Sequence, residues 1–363
     1  MLEQCITAGS HLYSYYQHRL CHSLVRRVML CSRYMAPVFL LLVASPVFAQ
    51  QKYIFEQPKM GSPFTITLYA QDSVTAANAA AAAFRRADTL NNLLSDYIDS
   101  SEINRLSATS GQGRYMPVSA YLFTILQRGV AAAQLSKGAY DISIGPVVKL
   151  WRKARKTKQF PDADSLRIAL YHTGYKYIHL DSIHRSVWLE KQGMQLDIGG
   201  LGKGYVAQLA LEVLQQAGLP MAMVNAGGKI VTGDAPPGKE GWLIGINRPG
   251  DKQDILPQLL LLHNNAIATS GDIYQYVELD GKRYSHIVNP ATGIGLTRSK
   301  NVTAIAQDGT TADWLSTACS VLSLNESMRL IQRFTGGALL VTEKRKNKLV
   351  QKQSALFKQY LQP

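Results

Sequence analysis

A chain of 363 residues, 46% of them apolar, is long enough to bury a sizeable core and has the composition of an ordinary soluble enzyme of one large or two closely joined domains. Its formal charge of +14 invites an anionic partner, but the basic residues are scattered with no run interleaved with aromatics, which argues against nucleic-acid binding. Cys5, Cys21 and Cys31 precede the apolar run at Met35–Ala49 and only Cys319 follows it, which excludes an intrachain disulfide in a chain that begins after that run.

Residues 1–49 read as a secretory leader. Arg26, Arg27 and Arg33 precede MAPVFLLLVASPVFA, and Val47 and Ala49 are the small residues expected before a cut. The run is short for a membrane span, and Gln50 and Gln51 stand where a lipid-modified cysteine would be needed. The expectation is an exported protein, periplasmic or in the cell envelope, soluble after cleavage, with residues 50–363 as the working domain and Met29 or Met35 as alternative starts.

Beyond the leader, Phe64, Ile66 and Leu68 alternate with Thr65, Thr67 and Tyr69, which predicts a half-buried strand over Pro63–Ala70. Helices are expected over Val74–Leu94 after Asp72 and Ser73 as caps, and from about Ser119 to Leu135, stopping before Gly138. Strand-like pieces follow at Tyr177–Leu180 and Val187–Leu189. Then MQLDIGGLGKGYVAQLALEVLQQAG runs from an apolar strand end through a glycine turn into a helix with a stripe of Val206, Leu209, Val213 and Leu214. Short strands at Met221–Asn225, Trp242–Asn247, Ala266–Thr269 and Tyr274–Leu279 complete a mixture of hairpins and a few long helices. That pattern predicts an α+β fold with mixed or antiparallel sheets and flanking helices. The basic clusters Arg152–Lys158 and Lys344–Lys348 read as solvated loops.

Three segments carry chemistry. The glycine turn Gly199–Gly202 offers free amides and a helix dipole to an anion, with Asp197 at the strand end and Lys203 in the first helical turn; it lacks the full dinucleotide fingerprint. In LDGKRYSHIVNPATG, an Asp280-Gly281 hairpin signal leads to His286 and an Asn-Pro-x-Thr-Gly turn. In ADWLSTA, Asp313 and Thr317 are four residues apart and share one helix face, a spacing of hard oxygens that suits magnesium holding phosphate. Read singly, Asp141 in GAYDISIGP is structural, Tyr97 is a core ring or a stacking platform, Ser100, Ser101 and Glu102 cap a helix, and Thr269 and Ser270 either contact phosphate or close a hairpin.

In this order MGSPFTI, SDYIDSSEI, GAYDISIGP, LDIGGLGKGY, VNAGGKIVTGD, ATSGDIYQYVELDGKRYSHIVNPATG and ADWLSTA resemble the ApbE-like family of FAD:protein FMN transferases over nearly all of residues 50–363. The resemblance implies a two-lobed fold with an FAD cleft. It also implies a magnesium-dependent transfer of FMN to a Thr or Ser hydroxyl of a periplasmic or secreted acceptor, with release of AMP. Any membrane contact would run only through membrane-bound acceptor subunits. By motif position it assigns FAD contacts to Met60, Tyr97, Ala139, Tyr140, Asp141, Asp197, Lys203 and Val288, and magnesium ligation to Asp313, Thr317 and the Gly200 carbonyl. Asp313, through the metal, and His286, as general base for the acceptor hydroxyl, are then the catalytic pair. Asn289 stands where the family commonly has Asp, Gln208 replaces a frequent Asp, and Ser316 stands where some members have a second Asp. The alternatives at this stage are an FAD pyrophosphatase giving FMN and AMP, and a flavin-binding or scavenging protein without turnover. Cys319 is expected to be packed and without a redox role.

Overall fold

The computed structural model describes residues 50–247, 255–271, 275–345 and 348–363. The expected leader therefore lies outside the described residues, as does Tyr274, the first residue of one expected strand. Strands β1 (Gln51–Lys59) and β2 (Ser62–Ala70) form an antiparallel hairpin through Met60 and Gly61, whose φ angles are +51° and +69°. Two left-handed residues match the twist of a two-residue hairpin, and glycine takes the second place at no steric cost. Phe64, Ile66 and Leu68 are fully buried as their alternation predicts; Thr67 on the opposite face is buried too, because a second layer that includes Trp242, packed on Tyr69, covers that side.

A long helical excursion follows. Helix α1 (Ser73–Leu94) is capped by Asp72, which accepts from the Thr75 amide at 2.8 Å, and buries Ala76, Ala79, Ala80, Ala83 and Ala87, small residues that bring it close to its neighbours. Ser101 caps α2 (Glu102–Ser107), while the Glu102 carboxylate reaches on past β3 (Met116–Pro117) to the amide of Ser119, the cap of α3 (Ala120–Leu135). Helix α4 (Gly145–Thr157) begins with Pro146 in its first turn and ends at Lys158, φ +57°, so the basic cluster expected as a solvated loop is mostly helix. After α5 (Ala163–Tyr171), β4 (Ile178–Asp181) and β5 (Ser186–Leu189) join β3 in a small sheet of order β3-β5-β4.

The segment before the glycine turn is not a regular strand: a single parallel bridge, Ile144 to Gln195, holds it. Helix α6 (Gly202–Gln216) then buries Val206, Ala207, Ala210, Leu211 and Leu214, whereas Leu209 and Val213, placed in the stripe by periodicity, are only half-buried. The remaining elements are β6 (Ala222–Ala226), β7 (Lys229–Thr232), the hairpin β8 (Trp242–Asn247) with β9 (Ile255–Leu262), β10 (Ala266–Ser270) and the hairpin β11 (Tyr276–Leu279) with β12 (Lys282–Ser285). Strand β13 (Lys300–Ala306), helices α7 (Gly309–Val321) and α8 (Leu324–Ile331), and the pair β14 (Ala338–Arg345) and β15 (Lys348–Gln353) close the described chain's sheet, so Lys344, Arg345 and Lys348 of the second basic cluster lie in strands, and its other two residues lie outside the described residues.

The main sheet has eight strands in the order β1-β2-β6-β7-β10-β13-β14-β15, and every pairing is antiparallel. Sheet order equals chain order, so every helix and minor hairpin is an excursion between adjacent strands. Period-two alternation sorts the strands' residues between two cores. Ala266, Ala268, Val302 and Ala304 join the cluster containing α1, α6 and α7, and Ile267, Ile305 and Leu340 join Ile244, Leu260 and Phe357 on the other face. A third cluster unites Val147, Trp151 and Ala154 of α4 with Ala169, Val277, Leu279 and Val288. Trp151 anchors it: its Nε1–H donates to the Gly293 carbonyl at 2.7 Å, and its ring packs on Tyr284 and Phe160. No described helix is long and apolar enough to cross a membrane.

Replacing the buried indole should therefore loosen the hairpin that carries His286. Trp151→Ala is expected to cost about 3–5 kcal/mol in denaturant unfolding, the usual range for a deleted core aromatic. A loss under about 1 kcal/mol, within the range of ordinary surface changes, would show that the cluster repacks without it.

Candidate active site

The site is built where the start of α6 meets α7. A Cβ added to Gly204 would lie 2.0 Å from the Gly309 carbonyl oxygen and 2.8 Å from the Asp313 Cβ, so only glycine permits this approach. The Gly204 amide, one of the unpaired N–H groups of a helix start, donates to Asp313 Oδ2 at 3.0 Å. Asp313 is completely buried, and its Oδ1 accepts no hydrogen bond; the facing charge is Lys229 Nζ at 3.5 Å. Lys229 opens β7 and is held by the Thr269 carbonyl at 2.5 Å. Burial lowers the lysine's pKa, the Asp313 carboxylate opposes that, and the nearby Lys203 charge adds to it.

Asp313 and Thr317 do share a face of α7, as their spacing predicts. Thr317 Oγ1 lies 3.4 Å from the Gly200 carbonyl and 3.3 Å from Ser270 Oγ. Ser270 also pairs with Ser316 Oγ at 2.7 Å, and Ser316 donates back to the Asp313 carbonyl at 2.8 Å. Ser270 thus braces the α7 hydroxyls, and Ser316 contributes no carboxylate. The orphaned Asp313 Oδ1, Thr317 Oγ1 and the Gly200 carbonyl form a set of hard oxygens that fits a divalent cation such as magnesium. It is carboxylate-poor: the described residues contain no cluster of three or more His, Cys, Asp or Glu side chains.

Asp197 takes the Gly199 amide on Oδ1 at 2.7 Å and Arg152 Nη2 on Oδ2 at 3.2 Å. Arg152 also pairs with Asp96 at 2.5 Å and lies over the Tyr97 ring at 3.9 Å, which leaves Tyr97 an exposed platform rather than a core ring. Arg152 therefore belongs to the site, a correction to its reading as part of a solvated loop. Burial and the Asp96 charge raise the pKa of Asp197, opposed by Arg152. Asp141 is anchored on both oxygens: Oδ1 accepts from the Ser143 amide at 2.8 Å and from its hydroxyl, and Oδ2 accepts from the Tyr175 amide at 2.9 Å. These bonds tie the turn after Tyr140 to the segment at Tyr175. The Tyr140 ring lies against Gly200, where a Cβ would sit 2.8 Å away. Its hydroxyl is buried without a partner, and burial, then the charges of Asp313, Asp197 and Asp141, raise its pKa well above the usual tyrosine value.

His286 follows β12. Its Nδ1 lies 3.0 Å from the Gln275 carbonyl, which requires Nδ1 to carry the proton and leaves the Nε2 lone pair free. The ring is half-buried. Its pKa is lowered to about 4, chiefly by burial and further by Arg155, Lys229 and Lys203, against the opposing Gln275 bond. Asn289 forms the side-chain turn expected of it, accepting from the Ala291 amide at 2.9 Å. Gln208 accepts from the Gly309 amide at 3.2 Å and so supports the start of α7. Met60, at the left-handed position of the first hairpin, packs on the helix-side core, and Val288 packs in the third cluster; both are placed by packing.

Arg152, Asp96, Lys229 and Gly204 are the contributors that sequence reasoning passed over. Lys229 and Gly204 stand inside glycine-rich motifs that were noted, but their contacts span more than 80 and 100 residues respectively along the chain to Asp313. A separate open groove of about 600 Å³, lined by Lys52, Tyr69, Trp242, Leu243 and Pro363, contains none of the groups that converge on Asp313. Charge and unpaired acceptors, rather than that void, mark the chemistry.

The family model described as the ApbE family matches residues 60–340. An FAD:protein FMN transferase of Klebsiella pneumoniae (strain 342) is 31% identical over 297 residues, 81% of this chain and 90% of that protein. One from Treponema pallidum (strain Nichols) is 32% identical over 258 residues, 67% and 71% of the two chains. The solved flavin transferase ApbE from Vibrio cholerae superposes with a TM-score of 0.77 at 25% identity, covering 86% of this chain and all of that one; the ApbE protein of Thermotoga maritima gives 0.77 at 28% identity with the same coverage. The chain belongs to the ApbE family.

Gly204→Ala tests the contact that assembles the site. The methyl meets backbone rather than a flexible side chain, so the variant is expected to lose at least about 1–3 kcal/mol of stability, the cost of overpacking. Thermal unfolding and amide exchange at the start of α7 would report it, and wild-type values for both would show that the helices separate freely.

Proposed function

We propose that this chain is an FAD:protein FMN transferase that joins FMN to a Thr or Ser hydroxyl of an acceptor flavoprotein and releases AMP. The observation that carries the reading is the meeting of an orphaned carboxylate oxygen, a threonine hydroxyl and a backbone carbonyl at a helix start beside Lys203 and Lys229. Relatives across most of this chain carry the name of that activity. Asp313, Thr317 and the Gly200 carbonyl would hold magnesium, which would supply charge neutralisation on the pyrophosphate and on the AMP leaving group.

The protein's own residues account for the rest. The helix dipole at the start of α6 and the Lys203 ammonium favour the anionic end of FAD. Tyr97, exposed and backed by Arg152, offers a face for stacking. The acceptor hydroxyl oxygen forms the new bond to the FMN phosphorus as the P–O bond to AMP breaks. Its proton passes to the Nε2 lone pair of His286, which the Gln275 bond keeps available. The leader-like residues 1–49 support export, which would put the acceptor in the periplasm or cell envelope.

The decisive assay incubates residues 50–363 with FAD, magnesium and a candidate acceptor domain, and records intact masses and AMP. An FMN mass gain on the acceptor, abolished by chelator, is the expected result. AMP and free FMN with no mass gain across several acceptors would favour hydrolysis, and FAD retained without AMP would favour a binding protein. Asp313→Asn keeps an acceptor for the Gly204 amide and loses the charge; turnover should fall about a hundredfold or more, the scale of a lost electrostatic partner in a transition state. Unchanged FAD consumption would remove Asp313 from the site.

His286→Ala should slow transfer far more than it weakens FAD binding, and equal losses would make it structural. Because its pKa is lowered to about 4, the imidazole is neutral across the neutral range. The histidine-dependent rate should hold level from pH 8 to pH 6 and fall only as the pH approaches 4. A midpoint near 6.5, the unperturbed value, would show that the ring is solvated during turnover.

A further inference from the structure

We infer that Lys229 is a resident counter-ion of Asp313 that a divalent cation must displace, so that this lysine sets the metal threshold of the site. The inference rests on the magnesium reading above. Lys229 pairs directly opposite Ala268 of β10, whose side chain lies in the helix-side core, so the lysine rises from the face of the sheet that α7 covers. The carboxylate has two oxygens with unequal freedom. Oδ2 is committed to the Gly204 amide, and Oδ1, which accepts no hydrogen bond, is the atom that Lys229 Nζ faces at 3.5 Å. A metal taking a carboxylate oxygen from Asp313 therefore takes the one the ammonium faces.

Sharing that oxygen between two cations is unfavourable, and among the described residues the next turn of α7 adds no second carboxylate: Ser316 spends its hydroxyl on the Asp313 carbonyl. Like charges brought this close in a buried site repel strongly. When Oδ1 is taken the ammonium keeps a second acceptor, the Thr269 carbonyl to which it already donates at 2.5 Å. In the metal-free protein the same ammonium spares the interior an uncompensated buried carboxylate, which is the costly state of such a pair.

The test measures metal alone, without FAD. Magnesium binding by calorimetry and thermal unfolding in chelator or in magnesium are compared for the wild type, Lys229→Met and Lys229→Arg. Lys229→Met should bind magnesium about tenfold or more tightly, the scale on which neighbours of a ligand tune a metal site. It should also be destabilised in chelator and recover with magnesium by a larger Tm rise than the wild type, while Lys229→Arg should stay near wild type in both. Unchanged or weaker magnesium binding by Lys229→Met would overturn the inference. If that variant folds only with magnesium, the metal has taken the lysine's place and the inference stands. If it folds in neither condition while Lys229→Arg folds, the metal does not substitute for the charge and the inference fails. A wild type and a Lys229→Met that both bind no magnesium would instead remove the metal reading itself.

Discussion

Gly204 and Gly309 meet backbone to backbone, and that contact fixes almost everything in the site. Because neither residue has a side chain, the first turn of α6 can lie against the first turn of α7, and a free helix amide finds the Asp313 carboxylate inside the protein. A buried carboxylate is tolerable only when its charge is answered. Here one oxygen is answered by the amide and the other by an ammonium held slightly too far away for a hydrogen bond. The arrangement answers the buried charge and still leaves one carboxylate oxygen without a hydrogen bond.

Around that centre, charges are held rather than free. Arg152 sits between Asp96 and Asp197 and against Tyr97, so a cation that would be a solvated surface residue on an isolated helix becomes a brace between segments far apart in the chain. Asp141 spends both oxygens on backbone and hydroxyl donors and positions Tyr140, whose own hydroxyl is left without a partner inside the site. Fixed donors and charges of this kind cost no reorganisation when a charged ligand enters, which is the physical basis of electrostatic catalysis in phosphoryl-type transfer. The main sheet makes this possible: its strands run in chain order, and each excursion returns beside the strand it left, so the loops and helix ends at the sheet's margin can vary while the centre stays packed on both faces.

Much of this was legible in the residues. Period-two alternation located β2, the cap at Asp72 located one helix, and Asp280-Gly281 located a hairpin, because each is decided by contacts within a few residues. The four-residue spacing of Asp313 and Thr317 is a helix property, and so is their common face. Asn289 keeps the turn that its side chain can make in any context. These are features that local sterics and hydrogen bonding determine by themselves.

Only the tertiary structure decided which of those features became chemistry. The stripe on α6 shifted from Leu209 and Val213 towards Ala207, Ala210 and Leu211 because the helix is pressed between α1 and α7, and the small residues face the tighter sides. Arg152 left the solvent because Asp96 and Asp197 converge on it, and Lys229 became a partner of Asp313 because β7 lies under α7. Charge and helical spacing are written in the sequence, but the distance between two charges remote along the chain is set by how the sheet and helices pack, and that distance decides whether a charge is solvated, braced or available for a ligand.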